Sequence, residues 1–241
     1  MVRVLAVWLL LISGAAAQER VDVQSRPGVI QPVYITAAAN PKATVLLFPG
    51  GSGVYAQLHN NFLVRVAPRF AAAGMTVAVF DTPSDHPAGM GPPFRASEQH
   101  AADITAVVTL LKSRSPAPLW LVGTSNGSIS AAEGAAVAGP PRVAGVVLTS
   151  SVWQGGMLSA PLAQIRMPTL VVHNRDDGCR SSPFGDTASS MALMTKAAPK
   201  ELLAVSGGSL RSDPCQALSP HGYYGIEEQV VPSIIAWIQA H

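Results

Sequence analysis

The stretch Leu119-Trp120-Leu121-Val122-Gly123-Thr124-Ser125-Asn126-Gly127 decides how this chain folds. It opens with a short apolar run of the length of a buried strand, and the alanine-rich segment after Gly127 reads as a helix. A strand that gives way to a helix within a few residues must turn sharply. The residue at the tip is then strained, and only small residues two places to either side let strand and helix pass each other. Gly123 and Gly127 meet that need. Ser125 therefore stands at the tip with its hydroxyl exposed at the strand's carboxyl edge. The amide of Asn126 and the helix N-terminus face any negative charge that develops there. Gly-x-Ser-x-Gly is common by chance in a chain rich in glycine and serine, so the strand before it and the helix after it carry the reading.

Working outward, apolar runs bounded by Gly, Pro, Asn and Asp alternate with longer helical stretches, the mark of an α/β domain on a mainly parallel sheet. Strands are expected near residues 28–36, 43–48, 76–80, 119–123, 144–150, 169–173 and 201–205, and helices near 57–73, 97–111, 127–138, 188–197 and 224–240. In the helix from Ser97, residues Ile104, Val107, Val108 and Leu111 return to one face, and Ser97 is placed to cap the first turn. The segment from Asp81 to Phe94 holds Pro83, Pro87, Pro92 and Pro93, which forbids a long helix or strand and predicts a shaped loop. His59 and His100 read as helix-surface residues. No linker or internal repeat divides the chain, so one domain is expected over residues 18–241.

A second glycine-rich turn, Phe48-Pro49-Gly50-Gly51-Ser52-Gly53, follows the apolar run Val45-Leu46-Leu47. Glycines let backbone amides approach a ligand closely. Gly51 is the candidate second amide donor beside Asn126, with Ser52 as runner-up; the lysine and hydroxyl residue of a phosphate loop are missing. Late in the chain Leu170-Val171-Val172-His173-Asn174-Arg175-Asp176-Asp177 sets two adjacent carboxylates after an apolar run, and His221-Gly222 precedes the final helical stretch. Either carboxylate alone could be a solvated turn residue. His173, among apolar neighbours, reads as a packed strand residue.

Glycine turn, Gly123–Gly127 elbow, acid and histidine follow in the chain order of the α/β-hydrolase family, which the sequence resembles over nearly all of residues 18–241. It looks most similar to small, lidless bacterial serine hydrolases of undefined substrate. The resemblance implies a mainly parallel sheet of about seven to eight strands with helices on both faces. It also implies Ser125 as nucleophile, His221 as general base and Asp177 as the acid that orients it. Similar stretches usually carry glycine at the position of Asn174 and the acid three residues on, which selects Asp177 over Asp176. Pro49 departs from the family, where His often precedes the oxyanion glycines, and leaves the second donor open between Gly51 and Ser52.

A serine hydroxyl is a weak nucleophile until an imidazole takes its proton during attack, and the oxyanion that forms needs amide donors. That chemistry requires no cofactor and no metal, and the expected partner is a small-molecule ester or acyl substrate. Peptidase, thioesterase and acyltransferase share the same residues, and a ligand-binding protein that has lost turnover shares the fold. Trp153, Met157 and Leu158 could line an acyl pocket or belong to the core. A zinc site from Cys179, Cys215, His173 and His221 can be drawn, but structural zinc sites favour closely spaced ligand pairs.

Residues 1–17 read as a secretory signal: Arg3 supplies the positive region, Val4–Ile12 the apolar core and Ala15-Ala16-Ala17 the cleavage site. An exported, periplasmic or extracellular protein without stable membrane insertion after cleavage follows from that reading. The chain has two cysteines in 241 residues, and in an exported protein an even count predicts a Cys179–Cys215 disulfide. Charged residues make up 12% of the chain and the formal net charge is +2, with the basic residues scattered, which argues against nucleic-acid binding.

Overall fold

A computed structural model describes residues 17–241. The signal-peptide expectation falls almost wholly on residues 1–16, outside the described part. Eight strands form one sheet: β1 (Gln18–Arg26), β2 (Val29–Thr36), β3 (Thr44–Phe48), β4 (Thr76–Phe80), β5 (Leu119–Thr124), β6 (Gly145–Thr149), β7 (Thr169–Asn174) and β8 (Lys200–Val205). Their order is β1-β2-β4-β3-β5-β6-β7-β8. β1 and β2 pair antiparallel to their neighbours, and from β4 across to β8 every pairing is parallel.

Strands β3 to β7 are buried along their whole length, because helices cover both faces. Side chains alternate between those faces, as the period of two demands. Val45, Leu47, Val79, Trp120 and Val122 point to one side, where they meet α1 (Phe62–Ala72) and α7 (Glu227–Ala240) through Phe62, Phe70, Ile234 and Trp237. Leu46, Phe48, Phe80, Leu121 and Leu148 point to the other, where α3 (Glu98–Arg114) and α4 (Gly127–Ala138) supply Ile104, Val108, Ile129 and Ala132. Three shorter helices, α2 (Pro92–Arg95), α5 (Ser159–Leu162) and α6 (Thr187–Ala192), lie in the connections.

The structure departs from the sequence reading in instructive places. β1 was not expected: only Val21 and Val23 are apolar in Gln18–Arg26, and its other residues are largely exposed on a charged edge. Helix α1 starts at Phe62 rather than near residue 57, because the Asn61 side chain accepts from the Leu63 N–H at 3.1 Å and caps it there. His59 consequently sits in an exposed turn before the helix. Ser97 caps α3 as expected, yet His100 in its first turn is fully buried instead of facing solvent. α7 begins at Glu227 because Tyr223 and Gly225 have positive φ, of 54° and 90°. Trp153 and Leu158 belong to the core, while Met157 is exposed. Among the described residues no helix is long and apolar enough to cross a membrane.

Candidate active site

The carboxyl ends of the parallel strands bring Gly51, Ser125, Asn126 and His221 to one cleft of about 420 Å³, in which the Ser125 hydroxyl and the His221 imidazole are not hydrogen-bonded to each other. Ser125 sits between β5 and α4 with φ of 52°, a strained value for a residue with a side chain. Its N–H donates to the Thr149 carbonyl on β6 at 3.1 Å, which fixes the tip of the turn. The flanking glycines are sterically obligatory: a Cβ on Gly127 would fall 1.9 Å from the Phe48 carbonyl oxygen, and one on Gly123 would fall 2.4 Å from that of Gly127. Helix α4 is thereby pressed against the end of β3, where the glycine-rich turn begins. Gly50 in that turn lies against Ser125 itself, since an added Cβ would come within 2.8 Å of the serine Cβ.

Gly51 has φ of 61°, and the Asn126 side chain donates to its carbonyl at 3.3 Å, joining the two turns. Among the described residues the N–H groups of Gly51 and Asn126 are not engaged by another backbone group. Both residues line the cleft, and Asn126 stands at the N-terminus of α4, where the helix dipole favours negative charge.

His221 comes from a 3-10 turn at Pro220–Gly222. Its Nδ1 lies 2.8 Å from Asp177 Oδ2, and its Nε2 is buried with no hydrogen-bond partner among the described residues. The carboxylate is fully buried, and its other oxygen accepts from the Cys179 N–H at 2.9 Å. Asp176 turns the opposite way and accepts from the Gly207 N–H at 2.6 Å. His173, buried on β7, donates from Nε2 to the Ser182 carbonyl at 2.8 Å and approaches Asp177 Oδ2 at 3.6 Å. Burial holds its imidazole below the usual histidine range, so it packs as a neutral neighbour of the carboxylate.

The turn that carries His221 is held from several directions. Tyr223, fully buried at φ 54°, donates its hydroxyl to the Val172 carbonyl at 2.7 Å and accepts from the Ser150 N–H at 3.0 Å. Ser150, itself at φ 42°, donates its hydroxyl to the His221 carbonyl at 2.6 Å. Arg65 on α1 donates to the Ala217 and Gly222 carbonyls at 3.3 and 3.1 Å. Cys179 and Cys215 form a disulfide, Cα to Cα 4.5 Å, joining the loop after Asp177 to the loop before His221 and lining the cleft. Their sulfurs are bonded to each other, so the drawing of them as metal ligands with His173 and His221 does not match this arrangement. Ser150, Tyr223 and Arg65 belong to no motif along the sequence. The one local sign of such a role is a bulky tyrosine following His221-Gly222 in a loop.

No family model and no curated protein matches the sequence. Solved structures do match. An esterase from Pyrococcus furiosus aligns with 99% of this chain and 96% of its own, at 14% identity and a TM-score of 0.67. An alpha-beta serine hydrolase homologue from Coxiella burnetii aligns with 90% of this chain and 96% of its own, at 17% identity and 0.63. A serine hydrolase without a lid from Xanthomonas campestris aligns with 93% and 97%, at 15% identity and 0.63. Resemblance at such identities is one of architecture, and the eight-stranded, mostly parallel sheet flanked by helices gives this chain the α/β-hydrolase fold.

Proposed function

We propose that this protein is a serine hydrolase that cleaves a neutral, short-acyl ester with Ser125 as nucleophile, His221 as base and Asp177 as the orienting acid. The observation that carries the reading is the Asp177–His221 hydrogen bond of 2.8 Å, which leaves the other imidazole nitrogen unpartnered in the cleft that Ser125 lines. A carboxylate on Nδ1 selects the tautomer whose Nε2 lone pair accepts a proton. In the first step Ser125 Oγ attacks the ester carbonyl carbon and its proton passes to His221 Nε2. The carbonyl oxygen becomes an oxyanion facing the Gly51 and Asn126 N–H groups. His221 returns the proton to the departing alcohol, leaving an acyl-serine. Water, deprotonated by the same imidazole, then releases the carboxylic acid and restores Ser125.

The cleft supports the choice of substrate. Side-chain amides of Gln57, Asn60, Asn126 and Gln216 line it, its apolar members are few, and His221 is its one titratable group outside the disulfide. A larger and more apolar hollow of about 850 Å³ lies away from Ser125, between α1 and the end of β2. The site thus favours a small acyl group on a neutral, hydrogen-bonding alcohol over a long hydrocarbon chain. We place the activity outside the cytoplasm, a reading supported by the apolar leader and by the disulfide.

The test is hydrolysis of esters graded in acyl length, together with labelling by a fluorophosphonate. Acetyl and propionyl esters should be turned over fastest. Ser125→Ala and His221→Ala should each lose several orders of magnitude in kcat while staying folded, because the two residues act as one unit. Label on Ser125 is expected in the parent and absent from the alanine variant. Near-normal turnover by folded Ser125→Ala would remove Ser125 from the mechanism, and fastest turnover of octanoyl esters would overturn the substrate class.

A further inference from the structure

Beneath the glycine turn lies a charged side chain with no role so far. Arg95, at the end of α2, is fully buried. Its Nε donates to the Met90 carbonyl at 3.2 Å, one terminal nitrogen to Ser130 Oγ at 2.8 Å and the other to the Pro49 carbonyl at 3.1 Å. None of these partners is a carboxylate. Burial pulls its pKa down to about 10, which still leaves the guanidinium charged at neutral pH. The hydroxyl of Ser130 also meets His100 Nε2 at 2.8 Å. Burial, and then the Arg95 cation itself, hold that imidazole well below its usual range, so it is neutral and does not offset the charge.

A buried cation without a counter-ion is costly, and an apolar side chain of the same volume would fill the space more favourably. What lies against this one is informative. Pro49 is the residue before Gly50, which abuts Ser125. Gly53, with φ of 81°, packs so closely that an added Cβ would stand 2.7 Å from the guanidinium nitrogen. Ser130 lies one turn along α4 from Asn126. The same cation therefore touches the turn that carries Gly51 and the helix that follows Asn126, the two sources of amide donors. In this chain Pro49 occupies the place where similar proteins often have a histidine, and Arg95 reaches its carbonyl from the end of α2 instead.

We infer that Arg95 is a positioning residue for the oxyanion: it fixes the Pro49–Gly53 turn so that the Gly51 N–H faces the cleft, and its unneutralised charge favours the anion that forms there. This rests on Ser125 being the nucleophile. The positive field beneath the turn adds to that of the α4 N-terminus, in a site where low dielectric strengthens both. Ground-state ester carries no such charge, so the effect belongs to the transition state and not to substrate binding.

The test compares Arg95→Met and Arg95→Lys with the parent, reading kcat and KM separately together with inhibition by a trifluoromethyl ketone, which adds a serine to form an anionic tetrahedral adduct. Arg95→Met should lower kcat by about 100-fold and weaken the ketone by a similar factor, the scale of removing one oxyanion donor, with KM little changed. Arg95→Lys, which keeps the charge but cannot reach three partners, should recover part of both. A folded Arg95→Met enzyme with unaltered kcat, or a fall in kcat without loss of ketone affinity, overturns the inference. Should Arg95→Met fail to fold, Ser130→Ala decides: it removes one anchor of the guanidinium and should show the same kcat-only fall on a smaller scale, and parental kcat in that variant would equally overturn it. Failure of the underlying reading is distinct, since there Ser125→Ala itself would remain active.

Discussion

The two flanks of Ser125 are held by different chemistry. On the amide side a single buried guanidinium gathers the Pro49 and Met90 carbonyls and the Ser130 hydroxyl, with no covalent tie and no ion pair. On the imidazole side a disulfide joins the loops of Asp177 and His221, and Tyr223 and Ser150 pin the histidine's own backbone. The difference follows from where the pieces come from. The glycine turn and α4 already meet through the sheet, so a few hydrogen bonds finish their alignment. The acid and base loops leave neighbouring parts of the sheet edge as longer, largely exposed segments, and they need a crosslink to stay in register.

The largest effect that can break this comparison lies within the imidazole side. Asp177→Asn keeps the size of the side chain but favours the wrong tautomer of His221, and kcat should fall by roughly 10⁴, by the precedent of serine proteases. Asp176→Asn loses only an acceptor for the Gly207 N–H and should do far less. Reversed magnitudes in equally stable variants would make Asp176 the acid.

Next comes the crosslink. Cys179 and Cys215 are 36 residues apart, and by chain-entropy reasoning such a bridge stabilises by about 4 kcal/mol. Reduction, or Cys215→Ser, should lower both melting temperature and activity, because Cys179 also donates its N–H to Asp177. Two free thiols in mass spectra of protein purified from an oxidising compartment would remove the covalent half of the contrast.

Tyr223→Phe probes the hydrogen-bonded half of the same side. It deletes the hydroxyl that bridges the Ser150 N–H and the Val172 carbonyl, which then keep only their direct bond of 3.1 Å, at a cost of about 1 kcal/mol. Urea denaturation should register that loss along with a several-fold lower kcat. An unchanged midpoint would show that Tyr223 fills space and does not anchor the His221 turn.

The smallest effect concerns the amide side. His100 beside Ser130 has its pKa lowered by burial and by Arg95, from the ordinary value of 6.5. The unfolded imidazole therefore takes up a proton as pH falls below about 6.5 while the folded one does not, and stability should be full above that value and decline below it. Melting temperatures from pH 8 to pH 5 should show this slope, and His100→Phe should flatten it. An unaltered slope in that variant would assign the acid sensitivity elsewhere, with buried His173 on the opposite flank the alternative source.

Much of the architecture was legible in the residues alone because its causes are local. Gly123 and Gly127 are demanded by contacts of a few ångströms around one turn, and α4 was expected over its observed span of Gly127–Ala138. The buried strands announced themselves as apolar runs between chain breakers. β1 did not, since a strand exposed at the edge of a sheet needs few apolar residues and owes its shape to pairing with β2. Asp177 was preferred over Asp176 only through a resemblance; in three dimensions they part because one accepts from His221 and the other from Gly207.

The supports of the site were decided by the tertiary structure. Arg95 reaches a carbonyl 46 residues away, and Tyr223 an amide 73 residues away. Backbone groups are the same at every residue, so a contact made to one of them across the fold leaves no pattern along the chain. A glycine flanking a strained serine is written into its neighbours, whereas the partner of a buried cation exists only once the sheet has brought its loops together.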